Sequence, residues 1–229
     1  MATALRKVVL VGGSGHLGPH ILKALQADPA FEVTVVSRQS STATFPPNTN
    51  VVKVSDAYTK DEFLHVFKGH DVVVLSLNFA AESQFHNMLV DASVEAGVKR
   101  LIPSIWGARL DLPEAREIFP FTASKAGLLE YVKSKVGSAP GWSYTAVANG
   151  LFHDLCVQIG IYGLDPKTHS ATIWDQGDNK FSVTTMNTVG LTVPKIIHKS
   201  EATANRTVYI SSFETSMNEL LAAYKLATG

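Results

Sequence analysis

The clearest candidate for ligand chemistry in this sequence is a glycine-rich turn near the N-terminus. The turn reads Gly12, Gly13, Ser14, Gly15, His16, Leu17 and Gly18. It follows a short apolar run and precedes apolar residues at helical spacing, a context in which such turns bind dinucleotides. Gly12 is expected to allow the sharp turn, Gly15 to let the pyrophosphate approach, and Gly18 to let the helix pack close to the strand. Free N–H groups at the start of the helix favour a bound phosphate, so all seven residues are predicted to bind the dinucleotide. The alternative is a plain tight turn between a strand and a helix.

The residues after the second predicted strand indicate which dinucleotide is held. NAD enzymes usually place Asp or Glu here for the ribose 2′-hydroxyl, whereas this chain has Ser37 and Arg38. The planar guanidinium of Arg38 matches a 2′-phosphate, so the predicted cofactor is NADP(H). Asp56 is expected to accept from the adenine amino group, and Ser76 and Leu77, after the fourth strand, complete the predicted cofactor site. A solvated surface arginine and an ordinary loop aspartate are the alternatives.

The elements that must position these residues follow a regular alternation of short β-branched runs and amphipathic stretches, which is typical of βαβ units. Strands are predicted at 8–11, 31–37, 51–54, 71–76, 100–103 and 143–147, and helices at 15–26, 61–67, 82–96 and 121–136. Later come an exposed strand at 180–185, a helix at 186–197, a strand at 207–210 and a capped helix at 217–227.

The predicted fold class is therefore α/β, a Rossmann-type doubly wound parallel sheet with a smaller C-terminal region. Residues 1–150 are expected to form the NADP-binding domain. Residues 151–229 are expected to pack on it as a smaller, dependent region on the substrate side, because the regular alternation fades after Asn149.

Composition and charge limit the classes of partner that the protein is expected to bind. Of 229 residues, 45% are hydrophobic and 17% charged, and 20 basic residues balance 20 acidic ones. No overall field attracts nucleic acid or an anionic membrane, so a small-molecule partner is predicted. Cys156 is the only cysteine and the histidines form no HExxH pair, so no metal is predicted. The N-terminal apolar run is too short for a signal or spanning segment, which predicts a cytoplasmic protein.

Several segments, in order along nearly the whole chain, resemble one family. They are the turn at 12–18, the stretch 89–100, Ile102-Pro103-Ser104, Lys125 and Ala148-Asn149-Gly150-Leu151-Phe152. Together they look like the NmrA-like, isoflavone-reductase-like branch of the atypical short-chain dehydrogenases. The resemblance implies a Rossmann domain that binds NADP(H). The branch includes reductases of phenolic and benzylic compounds, and also redox-sensing regulators that bind the dinucleotide without turnover.

The resemblance implies a catalytic role for Lys125, because reductases of this branch use a lysine at the matching position. Ordinary short-chain dehydrogenases carry Tyr-x-x-x-Lys, whereas this chain has Phe121 four residues before Lys125. Phe121 has no proton to give, so proton transfer falls to Lys125, to a water that it holds, or to the substrate. Burial or a nearby cation would lower the pKa of the lysine toward neutrality for this task. Lys125 is also expected to hold the ribose hydroxyls of the cofactor.

Residues near the ends of the later strands are predicted to contact substrate. They are Ser104, Trp106, Asn149 and Phe152. Relatives often show Pro-Ser-Glu-Phe-Gly where this chain has Ile105 after Ser104, so an acidic residue near the substrate is missing. Relatives also usually continue past the position of Gly229, which predicts a shortened C-terminus and an incomplete lid.

These observations predict an NADP-dependent oxidoreductase that passes hydride from NADPH to a small aromatic or conjugated metabolite, with Lys125 assisting. The alternative is a non-catalytic NADP-sensing regulatory or binding protein, which the missing tyrosine and acidic residue favour. A homodimer and a protein partner both stay open.

Overall fold

A computed structural model describes residues 4–118, 120–165 and 167–228 of the chain. The strands are β1 (Lys7–Val11), β2 (Glu32–Arg38), β3 (Asn50–Val54), β4 (Val72–Leu75), β5 (Arg100–Ile102), β6 (Ser143–Ala148), β7 (Leu151–Phe152), β8 (Leu164–Asp165), β9 (Ser170–Ala171), β10 (Phe181–Thr184), β11 (Arg206–Tyr209) and β12 (Phe213–Thr215). The helices are α1 (Gly18–Gln26), α2 (Lys60–Phe67), α3 (Phe79–Glu95), α4 (Pro113–Ile118), α5 (Pro120–Ser134), α6 (His153–Gln158), α7 (Met186–His198), α8 (Ser200–Thr203) and α9 (Met217–Thr228).

The main sheet has seven strands in the order β3-β2-β1-β4-β5-β6-β11, and each neighbouring pair is parallel. Its central strands are apolar on both faces, as a parallel sheet covered on both sides requires, and Val72–Leu75 is fully buried. The strand order reverses between β1 and β4, because the chain runs outward through β2 and β3 before returning to the other side of β1. Doubly wound sheets bind ligands at the carboxyl ends of the strands beside such a reversal.

Helices cover both faces of this sheet, each over its own apolar core. On one face α2, α3 and α5 contribute Phe63, Phe67, Leu89 and Val132. On the other face α1 and α7 contribute Ile21, Leu25, Val189 and Ile196. The predicted Rossmann-type α/β fold class is confirmed by this arrangement.

The chain after residue 150 contributes to both parts of the molecule. A three-stranded sheet of β7, β10 and β12 and the β8–β9 hairpin lie in this part. However, β11 forms the edge of the main sheet and α7 packs against α1, where a Cβ on Gly190 would lie 2.5 Å from the carbonyl oxygen of His20. The division into 1–150 and a dependent 151–229 region stays a prediction.

Two helix starts and one strand differ from the sequence-based expectation. Helix α1 begins at Gly18 and not at Gly15, because the turn extends three residues further. Pro19 lies in the first turn of the helix, where proline is well tolerated. Helix α3 begins at Phe79 and not at Glu82, because the Asn78 side chain accepts a hydrogen bond from the Ala81 N–H and caps it. The expected exposed strand at 180–185 is half buried: in β10 the final two residues, Val183 and Thr184, are buried.

Other elements were not predicted, because their segments are too short for a periodic pattern. They are α4, β7, α6, β8, β9, α8 and β12. The predicted capping box of α9 is present, since the Ser216 N–H donates to Glu219 at 3.1 Å and the Glu219 N–H donates to Ser216 at 3.3 Å. Throughout the described ranges, every helix is too short or too polar to cross a membrane.

Candidate functional site

The glycine turn joins β1 to α1 at the strand-order reversal, and two of its glycines are required by the fold itself. Gly12 has φ +87°, and a Cβ there would lie 2.1 Å from the carbonyl oxygen of Ser76. A Cβ on Gly18 would lie 2.2 Å from the carbonyl oxygen of Gly12. Both distances are far inside van der Waals contact, so the turn closes only with glycine at these positions.

Gly15 differs from them, because the protein around it leaves room for a side chain. The nearest atoms to a Cβ on Gly15 are the carbonyl oxygens of Gly12, at 3.6 Å, and Ser76, at 3.9 Å. The backbone N–H groups of Ser14, His16 and Leu17 donate no hydrogen bond to any described residue. No acidic residue lies in the first turn of α1. The turn therefore presents unused donors and an open face, which is what a bound pyrophosphate needs.

A cleft of about 500 Å³ extends from this turn toward the end of β2, and we call it the Arg38 end. Its lining comprises Gly12, Ser14, Gly15, Arg38, Asp56, Ala57, Tyr58, Ser76, Leu77, Asn78, Ala81, Gln84 and Phe85. Arg38 is exposed, and its guanidinium makes no hydrogen bond to a described residue. Asp56 accepts hydrogen bonds from the Ser40 hydroxyl and N–H, and the hydroxyl bond is the main cause that lowers the pKa of this carboxyl.

Ser37 is the exception among the residues predicted for this end. It is buried, and its hydroxyl accepts a hydrogen bond from Lys53 Nζ at 3.3 Å. The same ammonium donates to the carbonyl oxygens of Arg38 and Ser41. Ser37 is the last buried residue of β2 and is not among the residues that line the cleft, and its contact with the cofactor stays a prediction.

A second cleft, of about 550 Å³, continues from the turn in the other direction, and we call it the Lys125 end. Its lining comprises Ser14, Gly15, His16, Leu17, Ser76, Leu77, Asn78, Phe79, Trp106, Lys125, Phe152, Leu155 and Met186. Five lining residues are common to both ends: Ser14, Gly15, Ser76, Leu77 and Asn78. The two ends therefore form one continuous cleft over the carboxyl ends of β1 and β4.

Lys125 reaches this cleft from α5 and is tied down by two acceptors. Its Nζ donates to the carbonyl oxygen of Trp106 at 3.0 Å and lies 3.4 Å from Glu82 Oε2. Burial lowers the pKa of Lys125, and the Glu82 carboxylate opposes that shift. The lysine is thus mostly shielded from solvent, and its charged neighbour is an anion and not a cation. The side chain of Phe121 lies outside the described part, and Tyr131 is engaged elsewhere, donating to Asp91.

Glu82 is the residue that the sequence-based prediction missed. Its carboxylate is 3% exposed, and Oε2 accepts a hydrogen bond from the Ser104 hydroxyl at 3.1 Å. Burial raises the pKa of Glu82, and Lys125 opposes this. A carboxylate from α3 therefore stands close to Lys125, although the position after Ser104 holds Ile105, which is buried in the core.

A signal for Glu82 was present in the sequence but needed the true start of α3. Once the helix begins at Phe79, the residues Glu82, His86, Leu89 and Val90 fall on its buried face. Two titratable residues, Glu82 and His86, on this buried face mark a buried polar site. His86 is 1% exposed, its Nε2 has no hydrogen-bond partner among the described residues, and burial lowers its pKa to about 4.

The four residues predicted to contact substrate separate into two pairs. Trp106 and Phe152 line the Lys125 end, and the Trp106 indole N–H donates to the carbonyl oxygen of Leu75 at 3.0 Å. Ser104 and Asn149 are fully buried and are not among the residues that line the cleft, and substrate contact stays a prediction for all four. Ser104 bonds to Glu82 and to the Leu77 N–H, while the Asn149 amide donates to the Gly150 carbonyl oxygen. Strand ends point toward the cleft, but these two side chains turn back into the core.

Across the described ranges, no group of three or more His, Cys, Asp or Glu side chains is placed to hold a metal ion.

Comparison with known proteins adds the family to this geometry. Residues 5–229 match the model of the NmrA-like family. The chain belongs to the NmrA-like family. Oxidoreductase aprR of Aspergillus flavus is 35% identical to it over 97% of this chain and 74% of that protein.

Solved structures share the fold. An isoflavone reductase has a TM-score of 0.77 at 19% identity, covering 98% of this chain and 76% of that one. The triphenylmethane reductase of a Citrobacter species, complexed with NADP(H), has a TM-score of 0.72 at 18% identity, covering 97% and 76%. The predicted family, the fold and the assignment to the oxidoreductases are confirmed by these comparisons.

Proposed function

We propose that this chain is an NADPH-dependent reductase of a small apolar metabolite, aromatic or conjugated in character. The observation that carries the proposal is the continuous cleft that joins the exposed guanidinium of Arg38, the open donors of the glycine turn and the partly buried Lys125. The predicted cofactor also agrees with a structural neighbour that holds NADP(H).

The residues present fit the cofactor. The unused N–H groups of Ser14, His16 and Leu17 suit the pyrophosphate, and the open face of Gly15 admits it. Arg38 offers its planar donors to the 2′-phosphate, and the Asp56 carboxylate lies at the same end of the cleft. When bound, NADPH supplies the hydride.

At the other end, Lys125 and the apolar wall act on the substrate. An ammonium has three N–H donors, and two of those of Lys125 serve Trp106 and Glu82. The third is left for a ribose hydroxyl or for negative charge that develops on the substrate. The rings of Trp106 and Phe152 line this end beside Met186 and exclude water around a flat apolar molecule.

The first test is a fluorescence titration of NADPH and NADH, with Arg38→Asp beside the parent. Hydrogen bonds to a charged group contribute roughly 1.5–3 kcal/mol, so the variant should bind NADPH roughly tenfold to a hundredfold more weakly. Its affinity for NADH should change little. Arg206→Asp, at an exposed position on β11, makes the same charge change away from the cleft and serves as the control. Equal affinity of the parent for both nucleotides would overturn the cofactor assignment.

The second arm measures turnover with a panel of carbonyl compounds and conjugated alkenes. Lys125→Met should lower kcat by roughly a hundredfold to a thousandfold, because removing one stabilising donor has about this effect at other sites. Full activity in this variant would reject the role of Lys125. Binding of NADPH with no turnover across the panel would contradict the reductase and leave an NADP-binding protein.

A further inference from the structure

Beneath the Lys125 end lies a cluster of three polar side chains, Glu82, Ser104 and Lys125. Glu82 Oε2 accepts from the Ser104 hydroxyl at 3.1 Å and pairs with Lys125 Nζ at 3.4 Å. The Ser104 hydroxyl in turn accepts from the Leu77 N–H at 3.0 Å. Three elements, α3, the end of β5 and α5, therefore meet at one carboxylate.

The burial of this cluster determines which charges it can hold. The side chain of Glu82 is 3% exposed and that of Lys125 is 17% exposed. A lone ammonium in such a place would lose its proton readily, because burial penalises the charged form. The adjacent Glu82 carboxylate opposes this loss of the proton, and it accepts a hydrogen bond from the hydroxyl of Ser104. The nearby His86 imidazole is neutral at pH 7, since burial lowers its pKa to about 4, and so supplies no competing cation.

We propose that Glu82 is the positioning residue of this site: it keeps Lys125 as a charged ammonium and aims its remaining N–H into the cleft. In this arrangement Lys125 acts as a fixed cation and not as a neutral base. The charge of Lys125 in this arrangement is a property of the protein without cofactor or substrate. The consequence for turnover rests on the proposed reductase function.

The electrostatic claim is tested without cofactor or substrate. Lys125 is acetylated competitively with acetic anhydride over a series of pH values, and the peptide that contains it is quantified by mass spectrometry. In Glu82→Gln the pH midpoint of labelling should fall by about one to three units relative to the parent, because the opposing charge is gone and burial dominates. Glu95→Gln removes a carboxylate from the same helix, where it pairs with Lys60 at the surface, and should leave the midpoint unchanged. An unchanged midpoint in Glu82→Gln would overturn the proposal.

A thermal denaturation cycle covers the case in which Glu82→Gln folds poorly. Lys125→Met leaves a buried carboxylate without its partner and should lower Tm by about 5 °C or more. In the double variant Glu82→Gln/Lys125→Met the carboxylate is gone as well, so Tm should recover toward the parent value. If the two losses of Tm simply add, the pair is not coupled and the proposal fails.

The consequence for turnover is read separately. In Glu82→Gln the acidic side of the pH profile of kcat should be retained, while activity should be lost at a lower pH on the alkaline side. A shifted labelling midpoint in a protein without turnover would support the role of Glu82 and reject the reductase. A shifted midpoint with an unmoved kcat profile would confine Glu82 to a structural role and reject positioning.

Discussion

The Arg38 end and the Lys125 end of the cleft are held in different ways. The first joins the glycine turn, with its free backbone N–H groups and the open face of Gly15, to the exposed side chains of Arg38 and Asp56. The second gathers Glu82, Ser104, Trp106 and Lys125 from separate elements, and hydrogen bonds connect the Glu82 carboxylate to Ser104 and Lys125, and Lys125 to the Trp106 carbonyl oxygen. The first end therefore depends on close backbone packing in the turn, while the second depends on the opposite charges of Glu82 and Lys125.

Substitution by alanine should affect the stability of the protein very differently at two glycines of the same turn, and the effect at Gly12 is the largest that we expect. Gly12→Ala forces a Cβ to within 2.1 Å of the Ser76 carbonyl oxygen at a positive φ, so we expect a loss of stability on the order of 4 kcal/mol and a fall in Tm of about 10 °C. Gly15→Ala meets nothing closer than 3.6 Å and should keep its Tm within a few degrees. Differential scanning calorimetry measures both.

A titration of the Gly15→Ala variant with NADPH tests whether the open face of the turn binds the pyrophosphate. Because a methyl group on Gly15 would stand where the pyrophosphate approaches, Gly15→Ala should weaken NADPH binding by about tenfold or more. A Gly15→Ala protein that binds NADPH as tightly as the parent would show that the open face of the turn is not the phosphate site.

At the other end, the expected effect falls on substrate alone. Phe152→Ala removes an aromatic wall of the cleft, so KM for an apolar substrate should rise roughly fivefold to thirtyfold, while Kd for NADPH stays the same. Phe213→Ala, in β12 outside the lining, is the control. A parallel loss of nucleotide affinity in Phe152→Ala would break the distinction between the two ends.

The smallest expected effect concerns pH at the Arg38 end. Glu62 accepts hydrogen bonds from Ser55 and Thr59, which flank the loop that carries Asp56 and Tyr58, and the Ser55 hydroxyl is the first cause that lowers the pKa of Glu62 to about 2. Since the folded pKa is below the ordinary 4.5, the contribution of the ionised form is full above about pH 4.5 and is lost as pH falls through about 2.

Glu62→Gln should therefore lower Tm at pH 7 by a few degrees, and the gap to the parent should close in acid. Thermal melts from about pH 7 to about pH 2 measure this, with Glu214→Gln on β12 as an exposed control. A gap that is constant with pH would mean that the hydrogen bonds of Glu62 do not depend on its charge.

These two ends also mark how far the sequence predicts the site. The glycine turn and Arg38 lie next to a strand whose apolar pattern is unmistakable, so local spacing suffices to place them. Ser104 and Asn149 were placed at the right strand ends, but spacing does not say whether a side chain faces a cleft or the core. Glu82 required knowing that Asn78 caps α3, because a shift of the helix start changes which residues share its buried face.

The fold was predictable where periodicity was long and failed where elements were short. The alternation through β6 indicated the parallel sheet, whereas α6 and the β8–β9 hairpin follow no pattern longer than a turn. The role of β11 as the edge of the main sheet could not be predicted from its own residues, because pairing with β6 depends on tertiary packing.

That late edge strand has a consequence for biosynthesis. Asn205, just before β11, accepts a hydrogen bond from the Tyr144 N–H across a separation of 61 residues. At about 5–20 residues per second, the ribosome needs several seconds to deliver β11 after β6 has emerged. During that interval one edge of β6 has no partner strand. Until β11 pairs with it, the nascent chain is a substrate for chaperones and is at risk of edge-to-edge aggregation.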